Sequence, residues 1–484
     1  MAKINASVVT SNMMWRFLER IGAQLVSFGV SILLARLLDP SDYGVVAIVL
    51  SIMAILQIFV DSGLGNALIQ KKDVDNDDYS TVFVFNTLMC FGLYVALFFA
   101  APFVARIYEI PQLTALIRAL GINLIVSGVR NVQQAYVSRN MMMKKFFFAT
   151  LGGTIISAIA GVLAAFLGCG VWALVIQSLV NAIVGLVVLW FIVDWKPKWR
   201  FSLERFKRLF GFGWKLLFSA LLDTGYNEMT NLLIGGVYSS KDLAYYTKGQ
   251  QIPNLVVMNV NTSITSVLFP ALSELQDDPE MVKKLTRRSM KTCSYIMWPM
   301  MLGLAACAEP LIRLLLTEKW LPAVPYMQII CLTFGMFPIN VSNLEAIKAM
   351  GRSDLFLKLE IVKKIVALSL LVVALPRGVM AVALSSLIST VISTVINSFP
   401  NWKLLRYSYF EQMKDVLPPF LLSACMAAAV MQFSHIITND ILLLCVQVIS
   451  GVVIYVLGSW VFRMDSFKYL LNFAKSTVLS KIKK

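Results

Sequence analysis

Val171-Trp172-Ala173-Leu174-Val175-Ile176-Gln177-Ser178-Leu179-Val180-Asn181-Ala182-Ile183-Val184-Gly185-Leu186-Val187-Val188-Leu189-Trp190-Phe191-Ile192-Val193 contains no Asp, Glu, Lys or Arg. A helix that crosses the hydrocarbon core of a bilayer needs about 20 predominantly apolar residues, and this run supplies them. Its apolar residues are continuous rather than alternating, which weighs against the strands of a membrane β-barrel.

The pattern recurs along the 484 residues. Candidate spans lie at 12–36, 44–66, 80–102, 113–138, 146–167, 171–193, 211–237, 246–270, 292–315, 325–350, 358–376, 379–400, 416–434 and 440–461. Those at 12–36, 113–138 and 211–237 carry charges. Hydrophobic residues make up 58% of the chain and charged ones 14%. Soluble proteins average about 45–50% and about 25%. The expected fold is therefore an all-α integral membrane protein with about 14 transmembrane helices. One His and seven scattered Cys argue against a metal centre or a disulfide scaffold, and no cofactor is expected. No Walker A sequence is present. The polar N-terminus (Lys3, Asn5, Ser7) does not read as a cleavable signal peptide.

The net charge is +16. When the loops are assigned alternately to two sides, 28 of the 43 basic residues fall on the side of the N-terminus. Five (Arg106, Lys241, Lys248, Lys319 and Arg377) go to the other side, and ten lie deeper within spans, Lys248 and Lys358 at span ends being counted with the adjoining loops. Basic residues in short loops mark the cytoplasmic face. The basic surplus is thus mostly topology rather than nucleic-acid binding, and both termini are expected in the cytoplasm. Asp194-Trp195-Lys196-Pro197-Lys198-Trp199-Arg200 reads either as an amphipathic segment at the membrane interface or as a plain linker with interfacial anchors.

An internal duplication is visible. Trp15-Arg16-Phe17-Leu18 opens the first span, and Trp214-Lys215-Leu216-Leu217 opens the seventh at an offset of 199. Both spans end in a short polar turn with Asp, followed by Tyr leading into the next helix (Asp39 and Asp42 before Tyr43; Asp242 before Tyr245). The expected organisation is an N-terminal lobe at 1–200, a C-terminal lobe at 201–404, and two additional spans with a basic tail at 405–484. Parallel repeats around a central cavity are a recurrent transporter plan.

Ala35-Arg36-Leu37-Leu38-Asp39-Pro40-Ser41-Asp42-Tyr43-Gly44 and Asp61-Ser62-Gly63-Leu64-Gly65-Asn66-Ala67-Leu68-Ile69-Gln70-Lys71 resemble the opening signature of the Wzx-type polysaccharide flippases. These belong to the multidrug/oligosaccharidyl-lipid/polysaccharide exporter superfamily, and the colanic-acid and teichuronic-acid exporters are the most similar type. Val267-Leu268-Phe269-Pro270-Ala271-Leu272-Ser273, Glu318-Lys319-Trp320 and Gly351-Arg352-Ser353-Asp354-Leu355 extend the resemblance over roughly residues 10–400. It implies a two-lobed bundle that flips lipid-linked oligosaccharides, typically undecaprenyl-pyrophosphate-linked repeat units, across the cytoplasmic membrane for surface polysaccharide biosynthesis. The implied partners are that ligand, membrane lipids and other polysaccharide-assembly proteins. Within the motif, Pro40 and Gly44 suit a tight turn and Tyr43 an interfacial anchor.

A charge at mid-bilayer costs roughly 2.5–3.5 kcal/mol on insertion scales, so it faces a cavity or a partner. Arg16, Arg20 and Gln24 stand at i, i+4 and i+8 on the first span, bordered by Glu19. Lys215, Ser219, Asp223 and Asn227 stand four apart on the seventh. Asn254 and Asn261 on the eighth span and Arg130 on the fourth add polar groups, as does Asp61 at the end of the second. As a substrate site, the cations would attract pyrophosphate and the amides would meet sugar hydroxyls. Glu19, Asp61 and Asp223 are the candidates for carrying a coupling proton or sodium ion. Glu19 beside Arg16 could instead be a static ion-pair partner, as could Glu360 beside Lys363. Two other functions compete. A multidrug-type cation antiporter would favour an acidic, aromatic cavity. A membrane polymerase or glycosyltransferase would need a sizeable outer loop or a carboxylate-rich first loop; the outer loops here hold at most about 10 residues, and the first offers just Asp39 and Asp42.

Overall fold

A computed structural model describes residues 6–61, 64, 65, 68 and 74–472. The regular elements among them are helices: α1 (Ala6–Leu37), α2 (Pro40–Asp61), α3 (Asn76–Ile107), α4 (Gln112–Arg139), α5 (Met143–Phe166), α6 (Trp172–Ile192), α7 (Leu203–Val237), α8 (Ser240–Glu274), α9 (Pro279–Ala306), α10 (Ala308–Leu316), α11 (Val324–Gly335), α12 (Phe337–Ala349), α13 (Ser353–Ala374), α14 (Val379–Leu405), α15 (Tyr409–Met431) and α16 (Asp440–Val461). Short 3-10 segments lie at Glu318–Ala323, Leu375–Arg377 and Gln432–His435.

Each of the fourteen expected spans overlaps these helices along its described residues. Ten described helical stretches are long and apolar enough to cross a membrane, or eleven if α9 and α10, which meet at 65°, form one broken span. The count of fourteen is therefore not reached by length and apolarity among the described residues. For α13 the reason is plain: Lys358, Glu360, Lys363 and Lys364 crowd its first three turns.

Helix starts are locally encoded. Asp75 caps α3 by accepting from the Asp78 backbone N–H at 2.9 Å, while the Asp78 carboxylate accepts from the Asp75 N–H at 3.3 Å. Ser408 and Glu411 make the same reciprocal box at α15. Asp278 caps α9, with Pro279 at the first helical position, where its missing N–H costs nothing.

Contacts divide the chain into two compact units, residues 1–244 and 245–484. In the first, α5 packs on α6 and α1, α3 on α4, and α2 on α7 and α4. In the second, α9 packs on α15, α11 and α12, α14 on α13, α11 and α12, and α16 on α15. Both units invert the soluble pattern. Phe99, Leu167, Phe191, Trp460 and Phe462 point outward, while Ser80, Thr81, Asn86, Gln133, Asn343 and Gln412 are buried. Large apolar side chains on the outside need a lipid solvent, and polar ones inside hold the helices together by hydrogen bonds.

Two expectations change. The 193–202 linker contains no helix, and Trp195 is buried, stacked on Tyr136 (5.9 Å between centroids) and tilted against Tyr79. Of its two Trp residues, only Trp199 is exposed. Gly44 does not form a turn. Pro40 opens α2 and Gly44 lies inside it, where a Cβ would stand 2.9 Å from the Ser240 Cα and overlap its carbonyl. The two-residue corners between α1 and α2 and between α7 and α8, equivalent in the duplication, thus meet in the first unit. Tyr43 ties α2 to α1, its hydroxyl donating to the Ser31 carbonyl at 3.4 Å.

Candidate functional site: a polar cavity in the first unit

Gln57, Asn123, Ser127, Arg130, Ser178 and Asn181 line a cavity of about 330 Å³ among α2, α4 and α6. Helical spacing gathers them. Asn123, Ser127 and Arg130 stand at i, i+4 and i+7 on one face of α4, and Ser178 and Asn181 at i and i+3 on α6. The Asn123 amide donates to Ser178 Oγ at 3.0 Å, whereas its buried Oδ1 accepts from no protein group. Gly185 opposite leaves room for the half-buried Arg130, since a Cβ there would stand 3.0 Å from its guanidinium.

Asp61 ends α2 beside this cavity. Its carboxylate accepts from the Asn131 amide at 3.3 Å and, at the long limit of 3.5 Å, from Gln57. It lies within electrostatic reach of Arg130. The site therefore offers one bidentate cation, several neutral donors and acceptors, and one carboxylate held by amides. Such a set can take a phosphate oxygen and sugar hydroxyls.

The other sequence candidates are dispersed. Arg16 binds the buried Glu19 at 2.7 Å and lies 5.0 Å from the centroid of Phe146, so Glu19 is an ion-pair partner. Arg20 is exposed and Gln24 half-buried on α1. Asn227 and Asn254 are exposed on α7 and α8, and Asn261 is half-buried with its Oδ1 unpartnered. The side chains of Lys215, Ser219 and Asp223 lie outside the described residues, as do Ser62, Gly63, Asn66, Ala67 and 69–71 of the motif. Glu360 pairs with Lys363 at 2.6 Å.

Ser178 and Asn181 escaped the sequence reading, although the signal existed: with Gln177 they are the polar residues of an otherwise apolar run, all within about one turn. A larger omission lies in the second unit. Asn343 donates to Gln412 at 2.8 Å and accepts from Asn401 at 2.6 Å, while Asn397 donates to Asn340 at 2.8 Å. Next to this network Arg287 grips Asp415 through two bonds, at 2.6 and 2.8 Å, and Tyr407 donates to the same carboxylate at 2.7 Å. These groups bond mainly to one another and serve cohesion, although the buried Asn397 Oδ1 and Asn401 Oδ1 accept from no protein group. Among the described residues, no group of three His, Cys, Asp or Glu could hold a metal ion.

Comparison with known proteins agrees with this architecture. Residues 33–325 match the family described as polysaccharide biosynthesis protein. The succinoglycan biosynthesis transport protein of Rhizobium meliloti is 26% identical over 72% of this chain and 71% of its own. The teichuronic acid biosynthesis protein of Bacillus subtilis is 25% identical over 76% and 77%. Among solved structures, a lipid II flippase in an inward closed conformation superposes with a TM-score of 0.74 at 17% identity, covering 94% of this chain and 99% of that one.

Proposed function

The chain belongs to the polysaccharide biosynthesis protein family, and from that premise we propose that it flips lipid-linked oligosaccharides, in particular undecaprenyl-pyrophosphate-linked repeat units, across the cytoplasmic membrane by alternating access. The observation that carries the reading is the cavity of Arg130, Gln57, Asn123, Ser127, Ser178 and Asn181 inside helices whose outer surfaces are apolar. A half-buried guanidinium there needs an anion or water, and it offers a phosphate two parallel hydrogen bonds. Surrounding amides and hydroxyls suit a glycan. A cation-antiporter reading fits poorly with an arginine on the wall of this cavity.

In this account Arg16, Arg20, Gln24, Lys215, Asp223, Asn227, Asn254 and Asn261 extend the hydrated path, and the segments 1–200 and 201–404 rock as lobes, with 405–484 added at the periphery. Both termini and the 194–210 loop are cytoplasmic, while 103–112 and 316–324 face outward. Other polysaccharide-assembly proteins deliver the substrate or take up the product. Asp61 is the preferred coupling acid over Glu19, because Glu19 is held by Arg16. Asp223 stays a second candidate.

The test is reconstitution into liposomes with a lipid-linked oligosaccharide and an assay of head-group translocation. Protein-dependent flipping that is lost in the Arg130→Gln variant is the expected result. Reconstituted, folded protein that flips no such lipid, or flips it equally without Arg130, overturns the reading.

A further inference from the structure

The second unit contains a cavity of about 740 Å³, bounded by the middle of α9, the start of α15 and the end of α16. Its lining joins two chemistries: the cations Lys291, Lys414 and Arg463 with the acids Asp415 and Asp465, and the apolar Leu417, Leu421 and Phe462. Those apolar side chains are 49%, 51% and 71% exposed, so the wall opens to the surrounding solvent, which is lipid for a membrane protein.

The charges do not cancel. Asp415 is already saturated by Arg287 at 2.6 Å, Tyr407 at 2.7 Å and Lys291 at 3.1 Å. Asp465 is 85% exposed and, among the described residues, pairs only with Lys291, at 3.9 Å. Among the described residues neither Lys414 nor Arg463 has a carboxylate within ion-pair distance. Arg463 also adopts φ 51°, the left-handed conformation that closes a helix and ordinarily goes to glycine. A β-carbon is disfavoured there, yet the position carries a guanidinium. The three cations come from α9, α15 and the turn that follows α16, and they line one cavity at the polar ends of α15 and α16.

We propose that this cavity binds one anionic glycerophospholipid from the adjoining leaflet, its phosphate against Lys414, Arg463 and Lys291 and an acyl chain along Leu417, Leu421 and Phe462. A lipid phosphate takes the charge, and the exposed wall takes the chain. A resident phospholipid is favoured over the transported glycolipid because the polar lining beyond the ionic groups is only Tyr295 and Ser466. That is too little to read a repeat unit's hydroxyls. Nor is a soluble phosphate the occupant, since it would leave the apolar half uncovered. Each cation near a membrane surface contributes roughly a fivefold gain in affinity for an anionic lipid.

The test needs no transport substrate, so its outcome is independent of the transport reading. Purified full-length protein in detergent is titrated with dioleoyl-phosphatidylglycerol or dioleoyl-phosphatidylcholine, and binding is followed by native mass spectrometry and thermal shift. Phosphatidylglycerol is expected to bind more tightly and to raise the melting temperature. Lys414→Gln and Arg463→Gly are each expected to reduce that preference roughly fivefold, while phosphatidylcholine binding stays unchanged. Arg463→Gly matters most because glycine suits the left-handed backbone, so the fold is kept while the charge is lost. Equal binding of the two lipids overturns the proposal, as does an undiminished preference in the folded double variant. A thermal shift from inorganic phosphate equal to that from phosphatidylglycerol overturns it in favour of a free anion.

Discussion

Gly44→Ala is the sharpest perturbation the structure offers. A methyl at this position would stand 2.9 Å from the Ser240 Cα and overlap the Ser240 carbonyl, a separation that real Cβ atoms essentially never show. The neighbour is backbone, so no side chain can swing away. The two corners must separate by roughly 2 Å before the methyl clears the Ser240 carbonyl at ordinary contact distance. Overpacking of this kind costs about 1–3 kcal/mol. On the proposed orientation these corners lie at the outer face, and their contact belongs to the state closed there. If the outward-open state lacks the contact, the whole cost becomes a population shift. About 2 kcal/mol then disfavours outer closure about 30-fold. The expected outcome is a fall in head-group translocation of that order in proteoliposomes, with normal expression. Gly29→Ala is the control, because nothing lies within 4 Å of its Cβ. There the change should only gain helix propensity, by about 0.5–1 kcal/mol. If Gly44→Ala transports at the rate of the unmodified protein, the corner contact is no gate.

Arg130→Gln should lower translocation about 10- to 100-fold, the range for a lost charge-assisted hydrogen bond, at unchanged protein level. Arg130→Lys should fall between, because it keeps the charge and loses the fork. Equal rates for all three would remove Arg130 from the path. Asp61→Asn keeps the shape beside Asn131 but cannot take up a proton, so transport should stop responding to an imposed proton or sodium gradient; an unchanged response clears Asp61 of coupling. A cysteine at Glu204, in a background stripped of the seven native cysteines, should react with impermeant maleimide only after the cytoplasmic face is exposed. Labelling from outside would invert the topology.

The sequence announces helices that must meet lipid, because length and apolarity are local properties. Arg130 stood out for the same reason: a cation in an apolar helix has few places to go. What it touches was not legible, since Gln57, Ser178 and Asn181 come from other helices whose rotations no linear pattern fixes. Asn343, Asn397, Asn401 and Gln412 show the same limit. Each reads as an isolated amide, and only the packing of α12, α14 and α15 turns them into one network. Gly44 misled in the opposite direction. Beside Pro40 and Asp42 it reads as a turn residue, but its constraint comes from a backbone some 196 positions away at Ser240.

The acids of the helices fall into two groups, and the division bears on coupling. Glu19, Glu345 and Glu360 each hold a basic residue three positions away, at 2.7, 2.6 and 2.6 Å, and Asp415 holds Arg287 from another helix. Protonating one of these would leave its cation without its carboxylate partner. They are poor carriers. Asp61 is held differently: its hydrogen-bond donors are the neutral amides of Asn131 and Gln57, and Arg130 acts on it without a direct bond. Glu228 on α7 shares this arrangement, accepting from the Asn231 amide at 3.1 Å. An acid held by amides can exchange a proton or sodium ion without leaving a cation unpaired. Asp61 also adjoins the cavity in which Arg130 would meet a pyrophosphate, so a change of charge on one would be felt by the other. Substrate anion and coupling cation would then act on the same few ångströms of α2 and α4, which is where a linkage between gradient and glycan has to be built.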